Sequence, residues 1–216
     1  MFLLQKQLND STNGKNWELG LNKFNKEINW LRCIHMEVAE LIDSTPWKHW
    51  KNINSAPDMN NIHVELVDIW HFLMSYILQE TNVPKAVSLV NTHCIYEAAQ
   101  SIDVNLIIKE SEKLSYIALA IETKNMPSFS GIERFIEQFF RACKSAGLSF
   151  SWLQKLYIGK NCLNQFRQDN GYKEGTYKKV WNGSEDNVVM VELLKTIEDV
   201  SFDELYEQLK LKYNQN

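Results

Sequence analysis

The most constraining stretch is residues 59–80, MNNIHVELVDIWHFLMSYILQE. Its apolar residues, from Ile62 and Val64 through Trp70 to Ile77 and Leu78, run round nearly the whole circumference of a helix, and a helix apolar all round belongs inside the protein. At about 100° per residue the remaining stripe is Asn61, Glu65, Asp68, His71 and Ser75. Two carboxylates on that stripe therefore face protein. Ionised and unpaired they would be very costly, so they need cations or must take up protons.

Helical periodicity dominates the rest of the chain. Helices are expected over about 2–10, 23–44, 59–80, 85–99, 103–124, 130–146, 150–169, 187–197 and 202–213. Asp58 is a cap for the third, Ser128 or Ser130 for the sixth and Ser201 for the last, and Asn170-Gly171 ends the seventh. The expected fold is all-α, based on a four-helix bundle with additional helices, in a single domain over 1–216. One stretch breaks the pattern: GYKEGTYKKVWNGSEDN at 171–187, with Gly171, Gly175 and Gly183 set among Lys173, Lys178 and Lys179, reads as a mobile functional loop.

A balance of 23 basic against 27 acidic residues argues against a nucleic-acid or membrane-surface binder, although a few placed cations could still hold a small anion. Cys33, Cys94, Cys143 and Cys162 are scattered, without metal-ligand spacing, and read as reduced thiols. The opening MFLLQKQLND lacks the pattern of a secretory signal, and no apolar run approaches a membrane span, so a cytoplasmic protein is expected.

A second acidic pair, Glu37 and Glu40, shares the i, i+3 spacing of Glu65 and Asp68. Glu37 sits at the edge of the stripe formed by Ile34, Val38, Leu41 and Ile42, with Glu40 slightly further round. Taken alone the two could be surface salt-bridging acids. If their helix packs on 59–80, four carboxylates converge, and oxygen-only ligands favour Mg²⁺ or Mn²⁺ over zinc. Complementary chemistry lies along 150–169, where Lys160, Asn164 and Arg167 share a face that continues to Tyr172 and Lys173. Arg on a rigid helix with lysines on a glycine-bearing loop makes a phosphate clamp; a solvated basic face is the bland alternative. Gln5 and Asn9, at i, i+4, offer carboxamides to a base edge, and Trp50 in WKHWK offers an indole for stacking, with Lys51 beside it for phosphate. A surface helix face and ordinary packing are the competing readings.

The blocks LQKQLND, MEVAELIDSTPWKHWK, VELVDIWHF and YIGKNCLNQFRQDNGYKEGTYKKVWNGSEDN resemble dimeric all-α dUTPases, within the all-α NTP pyrophosphohydrolase superfamily that includes MazG-like enzymes and dCTPases. The resemblance implies that Glu37, Glu40, Glu65 and Asp68 bind two or more Mg²⁺ ions. It implies that Lys160, Asn164, Arg167, Tyr172 and Lys173 surround the phosphates, with Lys178 or Lys179 closing over them. Gln5 (with Gln7 as the alternative register), Asn9, Trp50 and His71 look like the uracil-side contacts. The activity so implied is hydrolysis of dUTP, and of dUDP, to dUMP by in-line attack of an activated water on the β-phosphorus, with Glu40 or Glu37 as the base. A homodimer is implied as well. A dCTP-directed or broader NTP pyrophosphohydrolase, and a non-catalytic nucleotide- or metal-binding homodimer scaffold, remain the alternatives.

Overall fold

The computed structural model describes residues 1–52 and 54–215, and the side chains of all of these but 128–130. The expected caps Ser128 and Ser130 fall outside those described side chains. Two compact units make up the chain, residues 2–150 and residues 151–216 with Met1.

The larger unit contains α1 (Phe2–Asn13), a 3₁₀ turn (Trp17–Leu19), α2 (Trp30–Asp43), α3 (Met59–Glu80), α4 (Val83–Asn91), α5 (Val104–Glu122) and α6 (Ser128–Ser145). Helix α2 packs on α3 and α5, α5 on α6, and α6 on α3, which closes a four-helix bundle with α1 and α4 laid on α3. α3 lies inside it, as its all-round apolar surface requires: Ile62, Ile69, Trp70, Leu73, Met74 and Ile77 have no exposed surface. The Trp70 indole stacks on Phe139 of α6 with ring centroids 4.8 Å apart. Each such large apolar side chain contributes roughly 1.5–3 kcal/mol on burial. Capping sets where α3 starts, because the Asp58 carboxylate accepts from the Asn61 N–H at 3.0 Å.

Two helices are shorter than their periodicity suggests. Helix α2 starts at Trp30 rather than 23, because asparagines upstream build turns instead. The Asn22 side chain accepts from the N–H groups of Phe24 and Lys26, Asn25 adopts φ 58°, and Asn29 caps the helix by accepting from the Arg32 N–H. Helix α4 ends at Asn91 rather than 99. The N–H groups of His93 and Cys94 both close back on Val90, and the chain then leaves to let the Tyr96 hydroxyl donate to the Leu148 carbonyl at 2.6 Å.

The smaller unit contains α7 (Phe150–Asp169), apart from its first residue, then β1 (Val180–Trp181) and β2 (Ser184–Glu185), which form a hairpin, followed by α8 (Asp186–Thr196) and α9 (Phe202–Asn214). Asn182 and Gly183 turn the hairpin with φ 48° and 85°, the paired positive values that suit a two-residue connection. The stretch 171–187 is thus non-helical up to α8, but it is anchored: Trp181 is buried, and the Tyr177 ring stacks on Tyr213 at 5.4 Å. Gly171, with φ 89°, follows the end of α7. Ser201 occupies the N-cap position of α9 without a side-chain capping bond. All four cysteines are free. No helix among the described residues is long and apolar enough to cross a membrane.

Candidate active site

Where α2 lies along α3, Glu37, Glu65 and Asp68 each bring one carboxylate oxygen to within 4.8 Å of the others. Glu65 and Asp68 are one turn apart on α3, and Glu37 projects from α2 beside the fully buried Val38 and Ile34. Glu65 is buried, while Glu37 and Asp68 are half-buried. Asn61 braces the group: its Nδ2 donates to Glu65 Oε1 at 3.1 Å and to the Ser44 hydroxyl, just past the end of α2, at 2.7 Å.

Electrostatics disfavours full ionisation of this cluster. Burial, followed by the charge of Asp68, a hydrogen bond shared with Glu65 and the charges of Glu65 and Glu40, pushes the Glu37 carboxyl up to about 8 from the usual 4.5. Without a counter-ion the three carboxyls cannot all ionise at low cost. A hard divalent cation with oxygen ligands suits the donor set. Glu40, the fourth carboxylate singled out in the sequence, is exposed and lies outside this three-residue group, although its charge still reaches Glu37.

The remainder of the α3 stripe meets α1. His71 Nδ1 lies 2.7 Å from Gln5 Oε1, and the Ser75 hydroxyl oxygen accepts from Gln5 Nε2 and Asn9 Nδ2, both at 3.0 Å. Gln5, Asn9, His71 and Ser75 are all buried, whereas Gln7 is exposed. Trp50 stands apart in character: it is 64% exposed, with its ring edge-on to His49 at 4.8 Å and Trp47 at 5.6 Å. The neighbouring segment is tied to α2 by Asp43, which accepts from Trp47 Nε1 at 3.0 Å and Lys48 Nζ at 2.9 Å, so its carboxyl is held below the usual range. Lys51 is exposed and lines a depression of about 320 Å³ together with Ser44, Thr45, Lys48 and Asp58.

In the smaller unit, the two cations of the expected clamp that stand on α7, Lys160 and Arg167, are already engaged. Arg167 donates from Nε and Nη2 to the two oxygens of Asp186 at 2.8 and 2.7 Å, and Asp186 has no exposed surface. Its Nη1 reaches Asn164 Oδ1 at 3.4 Å, and the Tyr172 ring lies 5.8 Å from the guanidinium. Lys160 is buried and donates to Asn187 Oδ1 at 2.9 Å. The Tyr177 hydroxyl donates to Asp186 at 2.8 Å, and burial with that neighbouring charge raises its pKa. Tyr172, Lys173 and Lys178 are exposed.

Partners that went unassigned in the sequence include Asn61, Ser75 and Asp186. Asn61 and Ser75 stand on the polar stripe of α3, so the signal was present. Asp186 is one acid in an acidic stretch, and nothing local marks it as the partner of an arginine 19 residues earlier.

An all-helical bundle gathers three carboxylates at one helix pair and a buried carboxamide network at another, the equipment of an all-α hydrolase. A family model described as dUTPase matches residues 1–172, and the chain belongs to this all-α dUTPase family as a dUTP diphosphatase. The hairpin, α8 and α9 lie beyond the matched segment. No curated protein matches the chain.

Proposed function

We propose that the chain hydrolyses dUTP to dUMP and pyrophosphate, and dUDP to dUMP and phosphate, using Mg²⁺ held by Glu37, Glu65 and Asp68. The observation that carries this reading is the convergence of three carboxylate oxygens within 4.8 Å where α2 meets α3. When bound, the cation neutralises phosphate oxygens and lowers the pKa of a coordinated water. The resemblance to dimeric dUTPases suggests two or more ions, with Mn²⁺ as a substitute, and Glu40 as a further ligand.

The chain's own residues do the rest. Glu65 and Asp68 hold their oxygens on the rigid α3, and Asn61 fixes the orientation of Glu65. Glu40, exposed beside the cluster, or Glu37 takes the proton from the water that attacks the β-phosphorus. Gln5, Asn9 and His71 read the uracil edge, and Trp50 stacks on the ring. Lys160, Asn164, Arg167, Tyr172, Lys173 and Lys178 or Lys179 contact phosphate oxygens, a role assigned on the resemblance, and Lys51 joins them from beside Trp50. Because Arg167 is already paired with Asp186, it serves less as a free charge than as a fixed donor through Nη1. A cytoplasmic homodimer without nucleic-acid or membrane partners completes the proposal.

The test is to incubate the purified protein with dUTP, dUDP, dCTP, dTTP and UTP, with and without Mg²⁺, and to resolve the products. Mg²⁺-dependent formation of dUMP and pyrophosphate from dUTP, with dCTP, dTTP and UTP nearly untouched, supports the reading. Comparable turnover of dCTP would overturn the base assignment, and turnover in chelator would overturn the metal assignment.

A further inference from the structure

We infer that Ser75 is a specificity-determining positioning residue: its hydroxyl locks the carboxamides of Gln5 and Asn9 in the orientation that accepts uracil and rejects cytosine. The inference rests on the assignment of Gln5 and Asn9 to the base.

A serine hydroxyl has one proton to donate and two lone pairs to accept with. The Ser75 proton goes to the His71 backbone carbonyl at 2.8 Å, a shorter bond than its 3.4 Å approach to Asn9 Oδ1. Both lone pairs then receive amide N–H groups, from Gln5 Nε2 and from Asn9 Nδ2 at 3.0 Å each. The oxygen is saturated, and it faces the two side chains as an acceptor only. Flipping either carboxamide would turn its oxygen towards that acceptor, and Ser75 has no exposed surface through which water could help.

The remaining contacts agree with this orientation. Gln5 Nε2 also donates to Asn9 Oδ1 at 3.2 Å, so the two amides fix each other. Gln5 Oε1 faces His71 Nδ1 at 2.7 Å, which assigns the proton of that pair to the imidazole. Ser75 is thus a hydroxyl that both amides share, one turn of α3 beyond His71.

Orientation matters because uracil and cytosine present opposite patterns. Uracil donates from N3 and accepts at O4, whereas cytosine accepts at N3 and donates from its 4-amino group. A carboxamide free to flip can satisfy both bases. One held in place matches only one of the two patterns and leaves the other with donor facing donor or acceptor facing acceptor, and the proposed activity makes the matched one uracil. In this way Ser75 acts on specificity without touching the nucleotide.

The experiment measures kcat/KM for dUTP and dCTP in the wild type, Ser75→Ala, Ser75→Cys, Gln5→Ala and Asn9→Ala. Ser75→Cys keeps the size but supplies only a weak acceptor, so it serves if the Ala variant folds poorly. The dUTP-to-dCTP ratio is insensitive to the fraction of folded enzyme, which separates specificity from stability. The expected result is a ratio lowered about tenfold or more in both Ser75 variants, chiefly through a gain on dCTP. If the ratio falls in Gln5→Ala and Asn9→Ala but is unchanged in both Ser75 variants, the positioning role is overturned and the base assignment stands. An unchanged ratio in all four variants overturns the base assignment, and the inference with it.

Discussion

Replacing Glu37 with Gln should stabilise the metal-free protein at alkaline pH while removing its response to Mg²⁺. The Glu37 carboxyl holds its proton up to about 8 in the folded state against 4.5 ordinarily, so the folded protein binds that proton more tightly than the unfolded chain does. Stability contributed by this group is therefore full below about pH 4.5 and is lost as the pH rises through about 8. At about 1.4 kcal/mol per pH unit the ceiling is about 5 kcal/mol, and because Glu37 is only half-buried, solvent screening reduces this to about 2 kcal/mol. Urea unfolding in chelator should show the wild type losing about 2 kcal/mol between about pH 4.5 and about pH 8 relative to Glu37→Gln, with no further loss above that. Adding Mg²⁺ should restore the wild type, most strongly at the higher pH, where the cluster is ionised, and leave the variant nearly unmoved. Parallel pH profiles for the two proteins, or an equal Mg²⁺ response in both, would refute the metal-site reading.

Other outcomes follow from the same contacts. Asp68→Ala should lower metal-dependent turnover of dUTP by at least about a hundredfold with little change in the urea midpoint. Arg167→Ala leaves the fully buried Asp186 carboxylate without its fork, and should cost about 3–5 kcal/mol in urea unfolding, part of which Arg167→Ala with Asp186→Ala should recover. Gly159→Ala would put its methyl carbon 2.5 Å from Leu194 Cδ1, so a loss of about 1–3 kcal/mol is expected, and Leu194→Ala should cost less in that background than in the wild type. Full stability of Gly159→Ala would show that α7 and α8 can separate without cost.

The helices are largely legible because burial repeats with the helix turn. The limits of α3 and α7 match their periodicity to the residue, since Asp58 caps one and Gly171 follows the other. Failures occur where side chains divert the backbone without changing the hydrophobic pattern. Asn22, Asn25 and Asn29 postpone the start of α2, and the bonds from His93 and Cys94 back to Val90 end α4 early. At the site, the α3 stripe is readable as one line of polar residues, but its division into a carboxylate half and a carboxamide half is not. That division depends on α2 meeting one end of the stripe and α1 the other, which is a matter of packing between distant segments. The burial of Lys160 and the pairing of Arg167 with Asp186 are hidden for a similar reason, because a helix face shows its charges but not what folds onto it.

The most direct test of the metal-centred mechanism is to titrate Mn²⁺ into wild type and Glu65→Gln while assaying dUTP turnover on the same samples. Expected is metal binding by the wild type that rises in step with dUMP formation, and loss of both together in Glu65→Gln, with the fold retained. Unimpaired metal binding and turnover in Glu65→Gln would contradict the assignment of the α2–α3 carboxylates as the catalytic centre.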